Sequence, residues 1–232
     1  MNPTYLYGTY GDGSLLLHRG VDFDQNPVGV PIYAVGDGTV VVAGHDDKVI
    51  YALELGFYGN LVVVQMDRQW HGQAVYNVYA HVSQIFVEVG QTVRTGDKIA
   101  AVGEEGTAAM GPHLHLEVRV GANDYAHTRN PAIWVKPYPG TGTLIGRLLD
   151  ARGQPIPQAT IILRRAIRPD TPYRDTDTYP NRSVNSDEEW HENFAMPQLD
   201  PGPLLVQSIV NGHLYSQTVT ITEGRSQYVT LQ

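Results

Sequence analysis

Five polar side chains in three short clusters have the residue types that a catalytic zinc site requires. They are His18 and Asp22, then His81, then His113 and His115. Together they supply four imidazoles and one carboxylate, whereas a catalytic zinc ion takes three such ligands and keeps a fourth position for water. Three of the five could hold a metal ion, and the other two could transfer protons. The sequence therefore predicts a zinc site with acid/base groups beside it.

Residue spacing predicts how these side chains reach one cleft. On a β-strand, residues i and i+2 point to the same face, so His113 and His115 share a face and the intervening leucine points away. His18 and Asp22 also share a face if their segment is extended, and Gly20 removes the side chain between them. One strand can therefore deliver a metal ligand and a base to one site while its other face packs.

Composition limits the classes of protein and of metal site. At 232 residues, the chain is long enough for one large or two small domains. It contains no cysteine, which excludes disulfides and cysteine-based zinc fingers and leaves histidine and carboxylates as the metal ligands. The net charge of −8 argues against a nucleic-acid partner. No apolar run approaches the roughly 18 residues of a membrane span, and nothing in the sequence indicates an oligomeric state.

The distribution of apolar residues predicts an all-β protein. Short runs rich in Val, Ile, Tyr and Thr alternate with Gly, Pro, Asn and Asp, and no long segment has a helical period. A single helical turn is expected at residues 82–85. Strands are expected in the first half of the chain at residues 31–35, 38–44, 60–65, 74–80, 98–102 and 113–120.

A boundary between two domains is predicted near residue 138. Residues 136–142 are rich in Pro and Gly, which is typical of a linker, and the strand pattern resumes at Thr143. We therefore divide the chain into residues 1–138 and residues 139–232. The first part contains every residue assigned to chemistry, and we expect it to fold by itself.

The first part resembles a known enzyme family over roughly residues 14–135. The matching segments occur in the expected order and are His18-Arg-Gly-Val-Asp22-Phe, residues 30–40, residues 58–62, Tyr79-Ala-His81-Val-Ser, residues 89–96, Gly111-Pro-His113-Leu-His115-Leu-Glu-Val118 and the closing Asn130-Pro131. They resemble a lysostaphin/LytM-type zinc metalloendopeptidase, a peptidoglycan hydrolase. The resemblance implies a duplicated-hybrid-motif antiparallel β domain with a groove over its sheet.

The resemblance also implies a role for each site residue. His18, Asp22 and His115 would bind Zn²⁺, and His81 and His113 would be the catalytic pair beside it. The implied substrates are the stem or cross-bridge peptides of bacterial peptidoglycan. The N-terminus has no basic region followed by an apolar stretch, so no secretion signal is recognisable. Because such a substrate lies outside the cytoplasm, we expect a mature or excised segment of an extracellular or cell-envelope protein.

Residues 139–232 resemble a different module, a carboxypeptidase-regulatory-like, prealbumin-type β-sandwich. The segment 146–159 and Leu199-Asp-Pro-Gly202 carry the resemblance, and Asn211-Gly212 between two apolar runs predicts a hairpin. Residues 165–192 are polar and are expected to form a long loop with one irregular strand. The segment has no catalytic constellation, so we expect a spacer or a stabilising neighbour, with carbohydrate or protein binding as the alternative.

Parts of the sequence are also compatible with two functions other than that of a peptidase. The first is a catalytically silent peptidoglycan-binding or amidase-activating module of the same fold, and the presence of all five site residues argues against it. The second is a lipoyl or biotinyl carrier domain, suggested by residues 89–99. A carrier needs a modifiable lysine upstream of this motif, and no lysine lies between Lys48 and Lys98. His45, Asp46 and Asp47 are interpreted as a solvated loop and not as a second metal site.

Overall fold

The computed structural model describes residues 3–11, 13, 15–180 and 184–232. The prediction of an almost entirely β protein is confirmed, and within the described residues no helix is long and apolar enough to cross a bilayer. The helical segments are a 3-10 turn at Tyr125–His127 and the α-helix α1 at Pro131–Trp134. The strands are β1 Pro3–Tyr5, β2 Val21–Phe23, β3 Pro31–Tyr33, β4 Gly38–His45, β5 Asn60–Met66, β6 Val75–Ala80, β7 Val82–Ile85, β8 Thr92–Val93, β9 Lys98–Val102, β10 Leu114–Val120, β11 Thr128–Arg129, β12 Gly142–Leu148, β13 Thr160–Arg165, β14 Arg168–Asp177, β15 Phe194–Leu199, β16 Gly202–Val210, β17 His213–Ile221 and β18 Ser226–Leu231.

By its internal contacts the chain divides into two compact units. The first unit comprises Met1–Tyr5 and Arg19–Pro131, and the second comprises Leu6–His18 and Ala132–Gln232. The N-terminal segment Leu6–His18 is therefore grouped with the second half of the chain. Residues 1–138 as an independently folding domain remain a prediction.

The first unit is built on an eight-stranded sheet that places β10 between two partners. The strand order is β1-β2-β10-β6-β5-β4-β8, with β11 also paired to β10, and all of these pairings are antiparallel. A second sheet has the order β3-β9-β7. In the register of the large sheet, His115 lies opposite Asp22 on β2 and Ala80 on β6. The sheet thus brings three distant parts of the sequence to one end of β10.

The segment 82–85 corrects one prediction, because it is a strand and not a helical turn. Val82 pairs with Val102, and Ile85 pairs with Ala100, in the antiparallel pairing of β7 with β9. Val82 is fully buried. Its β-branched side chain favours a packed strand over a helical turn. The burial of Val82 and the pairing with β9 therefore decide the local structure, although Ser83 and Gln84 are polar.

The second unit contains two sheets that share one apolar core. Their strand orders are β15-β12-β18 and β14-β13-β16-β17, and β12 and β18 are parallel. The shared core comprises Leu144, Leu148, Ala159, Ile161, Leu163, Phe194, Met196, Leu199, Leu204, Val206, Ile221, Val229 and Leu231. The comparison with a prealbumin-type sandwich remains a prediction.

Local features of the second unit match the sequence analysis in detail. Val210 pairs with His213, so β16 and β17 are joined by the two-residue turn Asn211-Gly212. Both turn residues have positive φ, 50° and 80°, as a type I′ hairpin turn requires. The described part of the polar region after Arg165 contains the strand β14, whose pairing with β13 shifts register twice. The expected hairpin and the expected irregular strand are therefore both present.

Candidate metal centre

One face of β10 carries a row of polar side chains. His115, Glu117 and Arg119 alternate with apolar residues along the strand, and His113 immediately precedes it. All four are buried, with Glu117 and Arg119 fully inaccessible to solvent. The other face presents leucine and valine side chains to the apolar interior. Because successive side chains on a strand point to opposite faces, β10 has one face that packs and one face that can do chemistry.

His18, Asp22 and His115 form a group that could hold a metal ion. One potential ligand atom from each residue lies within 4.8 Å of the others. His115 Nδ1 lies 2.8 Å from Asp22 Oδ1. Donors bound to one tetrahedral zinc ion at its usual bond lengths lie roughly 3.5 Å apart, and two imidazoles with one carboxylate form a set that catalytic zinc uses. The residues present therefore fit a zinc ion.

The orientation of His115 is set by carboxylates on both sides of its ring. Nδ1 faces Asp22, and Nε2 lies 3.1 Å from Glu117 Oε1. Burial acts to lower the pKa of His115, but the hydrogen bonds and charges of the two carboxylates outweigh burial and raise that pKa to about 9. Gly20 is required beside this ring, because a Cβ at residue 20 would lie 2.6 Å from the imidazole and from the carbonyl oxygen of Leu116.

Glu117 is the centre of a buried charged network. Its Oε2 accepts a hydrogen bond from Arg119 Nε at 2.7 Å, and its Oε1 accepts a short one from the Tyr58 hydroxyl. Arg119 also donates to Asn123 Oδ1, to the Tyr51 carbonyl oxygen and to the Tyr58 hydroxyl. Burial alone would raise the pKa of Glu117, but Arg119 and the hydrogen-bond donors lower it to about 2. Glu117 is therefore an ionised carboxylate that can only accept hydrogen bonds.

His81 lies at the junction between two sheets. It connects β6 with β7 and has a φ of 61°, in the left-handed region that non-glycine residues rarely adopt and that recurs at functional sites. Gly103 permits this junction, because a Cβ there would lie 2.5 Å from the His81 carbonyl oxygen. The His81 ring centroid lies 4.8 Å from that of His113 and 5.6 Å from that of His115. Burial and the two neighbouring imidazoles lower the pKa of His81 to about 3.

Backbone carbonyl groups fix the tautomers of His81 and His113. His81 Nδ1 lies 2.6 Å from the Glu105 carbonyl oxygen, and His113 Nδ1 lies 2.8 Å from the Gly111 carbonyl oxygen. A carbonyl oxygen can only accept, so Nδ1 carries the proton in both rings and Nε2 carries the lone pair. His113 Nε2 lies 3.7 Å from Asp22 Oδ1, the same oxygen that faces His115. Both rings therefore present a proton acceptor beside the ligand group.

The structure brings the five sequence-predicted residues together and adds others. Sequence reasoning missed Glu117, Arg119 and Tyr58; the signal for the first two was the alternation after His115, which continues for two more polar positions. The interpretation of Asp46 as solvated is wrong. Asp46 is fully buried and accepts a hydrogen bond from the Tyr58 backbone N–H at 2.8 Å, because it closes the loop that precedes β5.

Comparisons with known proteins agree on the first half of the chain. The model of peptidase family M23 matches residues 16–128. The peptidoglycan DD-endopeptidase ShyB of Vibrio cholerae is 39% identical over 108 residues, which are 47% of this chain and 22% of ShyB. The lipoprotein NlpD of Yersinia enterocolitica is 34% identical over 91 residues, which are 39% of this chain and 78% of that protein. The chain covers about a fifth of the length of the first curated relatives it matches.

A solved structure is also similar in this region. The catalytic domain of the antimicrobial peptidase lysostaphin from Staphylococcus simulans is 29% identical, with a TM-score of 0.47, and the match covers 56% of this chain and 88% of that domain. The identification of the family rests on the sequence matches. Through residues 16–128, the chain belongs to peptidase family M23.

Proposed function

We propose that this protein is a zinc-dependent endopeptidase that hydrolyses peptide cross-links of bacterial peptidoglycan. His18, Asp22 and His115 hold the zinc ion, and His81 and His113 are the catalytic residues. The observation that carries the proposal is the approach of two oriented imidazoles to the three-residue ligand group at one end of β10. The name of ShyB, a peptidoglycan DD-endopeptidase, supports peptidoglycan peptides as the substrate class.

The mechanism follows from the protonation of the two histidines. Zinc, when bound, supplies Lewis-acid polarisation of the scissile carbonyl and a nucleophile at neutral pH. Because Nδ1 of His81 and of His113 donates to a backbone carbonyl, each Nε2 can accept a hydrogen bond from the nucleophile. The pKa of about 3 keeps the His81 ring neutral, so His113 is the ring that takes the proton as nucleophilic attack proceeds. The resulting imidazolium returns that proton to the nitrogen of the leaving amine when the C–N bond breaks.

The substrate and the relatives support a location outside the cytoplasm. Peptidoglycan is a polymer of the cell envelope, and the matched relatives include proteins named as lipoproteins. We propose that the protein acts in the cell envelope or in the extracellular space.

Digestion of purified peptidoglycan tests the proposal. The full-length protein, loaded with zinc, should release fragments whose new amino and carboxyl ends can be identified by mass spectrometry. Removing zinc with a chelator should stop the release, and adding zinc back should restore it. A protein that holds about one zinc per chain and releases no new ends from any of several peptidoglycans would instead be a catalytically silent binding module.

We also propose that residues 1–138 are the catalytic domain, since they contain all five site residues. The segment Leu6–His18 contacts residues that this truncation removes. The Tyr7 hydroxyl donates to the Asn185 carbonyl oxygen at 3.1 Å, and the Tyr7 ring packs edge-on against Tyr179. We therefore expect the fragment to melt at a lower temperature than the full chain, yet to bind zinc and cleave soluble peptides at a similar rate. An insoluble fragment, or a large loss of activity on small peptides, would show that the catalytic unit includes residues after 138.

A further inference from the structure

Glu117 is the buried carboxylate that contacts Nε2 of His115. We infer that Glu117, itself held by Arg119 and Tyr58, is a positioning residue that keeps the proton of His115 on Nε2 and so reserves Nδ1 for the metal ion. This inference rests on the proposed zinc site. It assigns a role to Glu117, which is not one of the five residues of that site.

The first step is the hydrogen bond between Glu117 and His115. Glu117 Oε1 lies 3.1 Å from His115 Nε2. Both carboxylate oxygens of Glu117 accept hydrogen bonds, Oε2 from Arg119 Nε and Oε1 from the Tyr58 hydroxyl, so Glu117 can only accept at His115 as well. Nε2 must therefore carry the proton. The other ring nitrogen, Nδ1, faces Asp22 on the side of the ligand group. A carboxylate that fixes the tautomer of a metal-binding histidine in this way also makes that histidine a stronger ligand.

The second step is the fixed position of Glu117. Arg119 Nε donates to Oε2, while the Tyr58 hydroxyl donates to Oε1. Arg119 is held in turn, since its two terminal nitrogens donate to Asn123, to the Tyr51 carbonyl oxygen and to Tyr58. Glu117, Arg119 and Tyr58 are all fully buried, so water does not compete for these hydrogen bonds. These hydrogen bonds hold the carboxylate in place beside His115.

The third step is that Arg119 determines how a glutamine at residue 117 would be oriented toward His115. In Glu117→Gln the side chain has one acceptor and one donor group. Arg119 cannot lose its proton, so the amide oxygen must face Arg119 Nε and the amide NH₂ must face Tyr58 and His115. A donor that faces Nε2 favours the other tautomer of His115, with its proton on Nδ1. That proton occupies the position from which the metal ion would be bound.

The experiment measures zinc affinity by chelator competition in the full-length wild type and in Glu117→Gln. We expect zinc affinity to fall 10- to 100-fold in the variant, with little change in the circular dichroism spectrum. The matched control is Glu192→Gln in the second unit. Glu192 is equally buried and also accepts a hydrogen bond from a tyrosine, Tyr179, at 3.1 Å. Its substitution should leave zinc affinity unchanged. Equal zinc affinity in Glu117→Gln and the wild type would overturn the inference.

A second measurement does not depend on the folding of any variant. In the zinc-loaded wild type, ¹⁵N NMR spectra of the histidine rings should show His115 with a proton on Nε2 and the metal on Nδ1. The reverse assignment would refute the role of Glu117, although zinc-dependent hydrolysis would remain. A wild-type protein that holds no zinc and cleaves nothing would overturn the proposed function and this inference together.

Discussion

The buried strands of the two units carry different types of side chain. Strand β10 of the first unit buries Glu117 and Arg119 with the imidazole of His115 on one face. Strand β13 of the second unit buries Ile161 and Leu163, which belong to an apolar core. Burial of ions is costly, and replacing a buried ion pair with well-packed apolar residues is often neutral or stabilising. The charged face of β10 is therefore better explained by what it positions than by the stability it provides.

Buried carboxylates show the same difference on a smaller scale. Glu117 has an arginine partner and two other side-chain donors, and these lower its pKa to about 2. Glu192 accepts hydrogen bonds from Tyr179 and from the backbone N–H of Asp187, none of its partners among the described residues is a cation, and burial raises its pKa to about 7. The first carboxylate is fixed as an ion, whereas the second can change its charge near neutral pH. Variants in the two units should accordingly affect different properties.

The largest expected effect is on catalysis. His81→Ala should lower kcat on a soluble peptide by about 10²- to 10⁴-fold, because a ring that orients the nucleophile beside His113 is lost while the ligand group remains. The variant should keep about one zinc per chain by elemental analysis. Loss of the metal in this variant would assign His81 to the ligands and remove the distinction between holding zinc and transferring protons.

The next effect is on stability of the second unit. Leu163→Ala should lower the free energy of unfolding by about 2 to 5 kcal/mol, because Leu163 is fully buried and its loss leaves a cavity. Zinc affinity should remain that of the wild type. Ile209→Ala on the neighbouring strand is the matched control, since Ile209 is 72% exposed and its truncation should change little. Chemical denaturation followed by fluorescence measures both variants. A drop in zinc affinity for Leu163→Ala would mean that this core supports the metal centre.

The smallest effect concerns pH and Glu192. Its pKa in the folded protein, about 7, lies above the ordinary value of 4.5, so the folded state binds this proton more tightly than the unfolded state. The corresponding stability is fully present below about pH 4.5 and is lost as the pH rises through 7. Glu192→Gln cannot ionise and should therefore gain melting temperature relative to the wild type between pH 5 and pH 8. A constant difference across that range would contradict the raised pKa.

Patterns of alternation and turn chemistry predicted much of the fold from the sequence. The strand expected at 98–102 coincides with β9, and the Asn211-Gly212 turn joins β16 to β17. Both signals are local, since they depend on residues that are close in sequence. The segment 82–85 was misread because its strand character comes from pairing with β9, a partner outside any local pattern.

The candidate site was predictable only where it depends on residues that are close in sequence. Residue type and spacing identified the five polar side chains that the structure gathers at one end of β10. The function of Glu117 depends on the distant Tyr58, and the burial of Asp46 depends on how its loop closes. Residue spacing in the sequence predicts neither of these two hydrogen bonds. Long-range hydrogen bonds to buried charges are the part of the site that only the folded chain reveals.

The most direct test of the proposed site compares two histidines on one face of one strand. His113 and His115 are two residues apart, equally buried, and assigned to opposite roles. The measurement is zinc per chain, by elemental analysis, in His113→Ala and His115→Ala of the full-length protein. We predict that His113→Ala retains about one zinc and loses hydrolysis, whereas His115→Ala loses both. Equal loss of zinc in the two variants, or retention of zinc by His115→Ala, would contradict the division between ligands and catalysts.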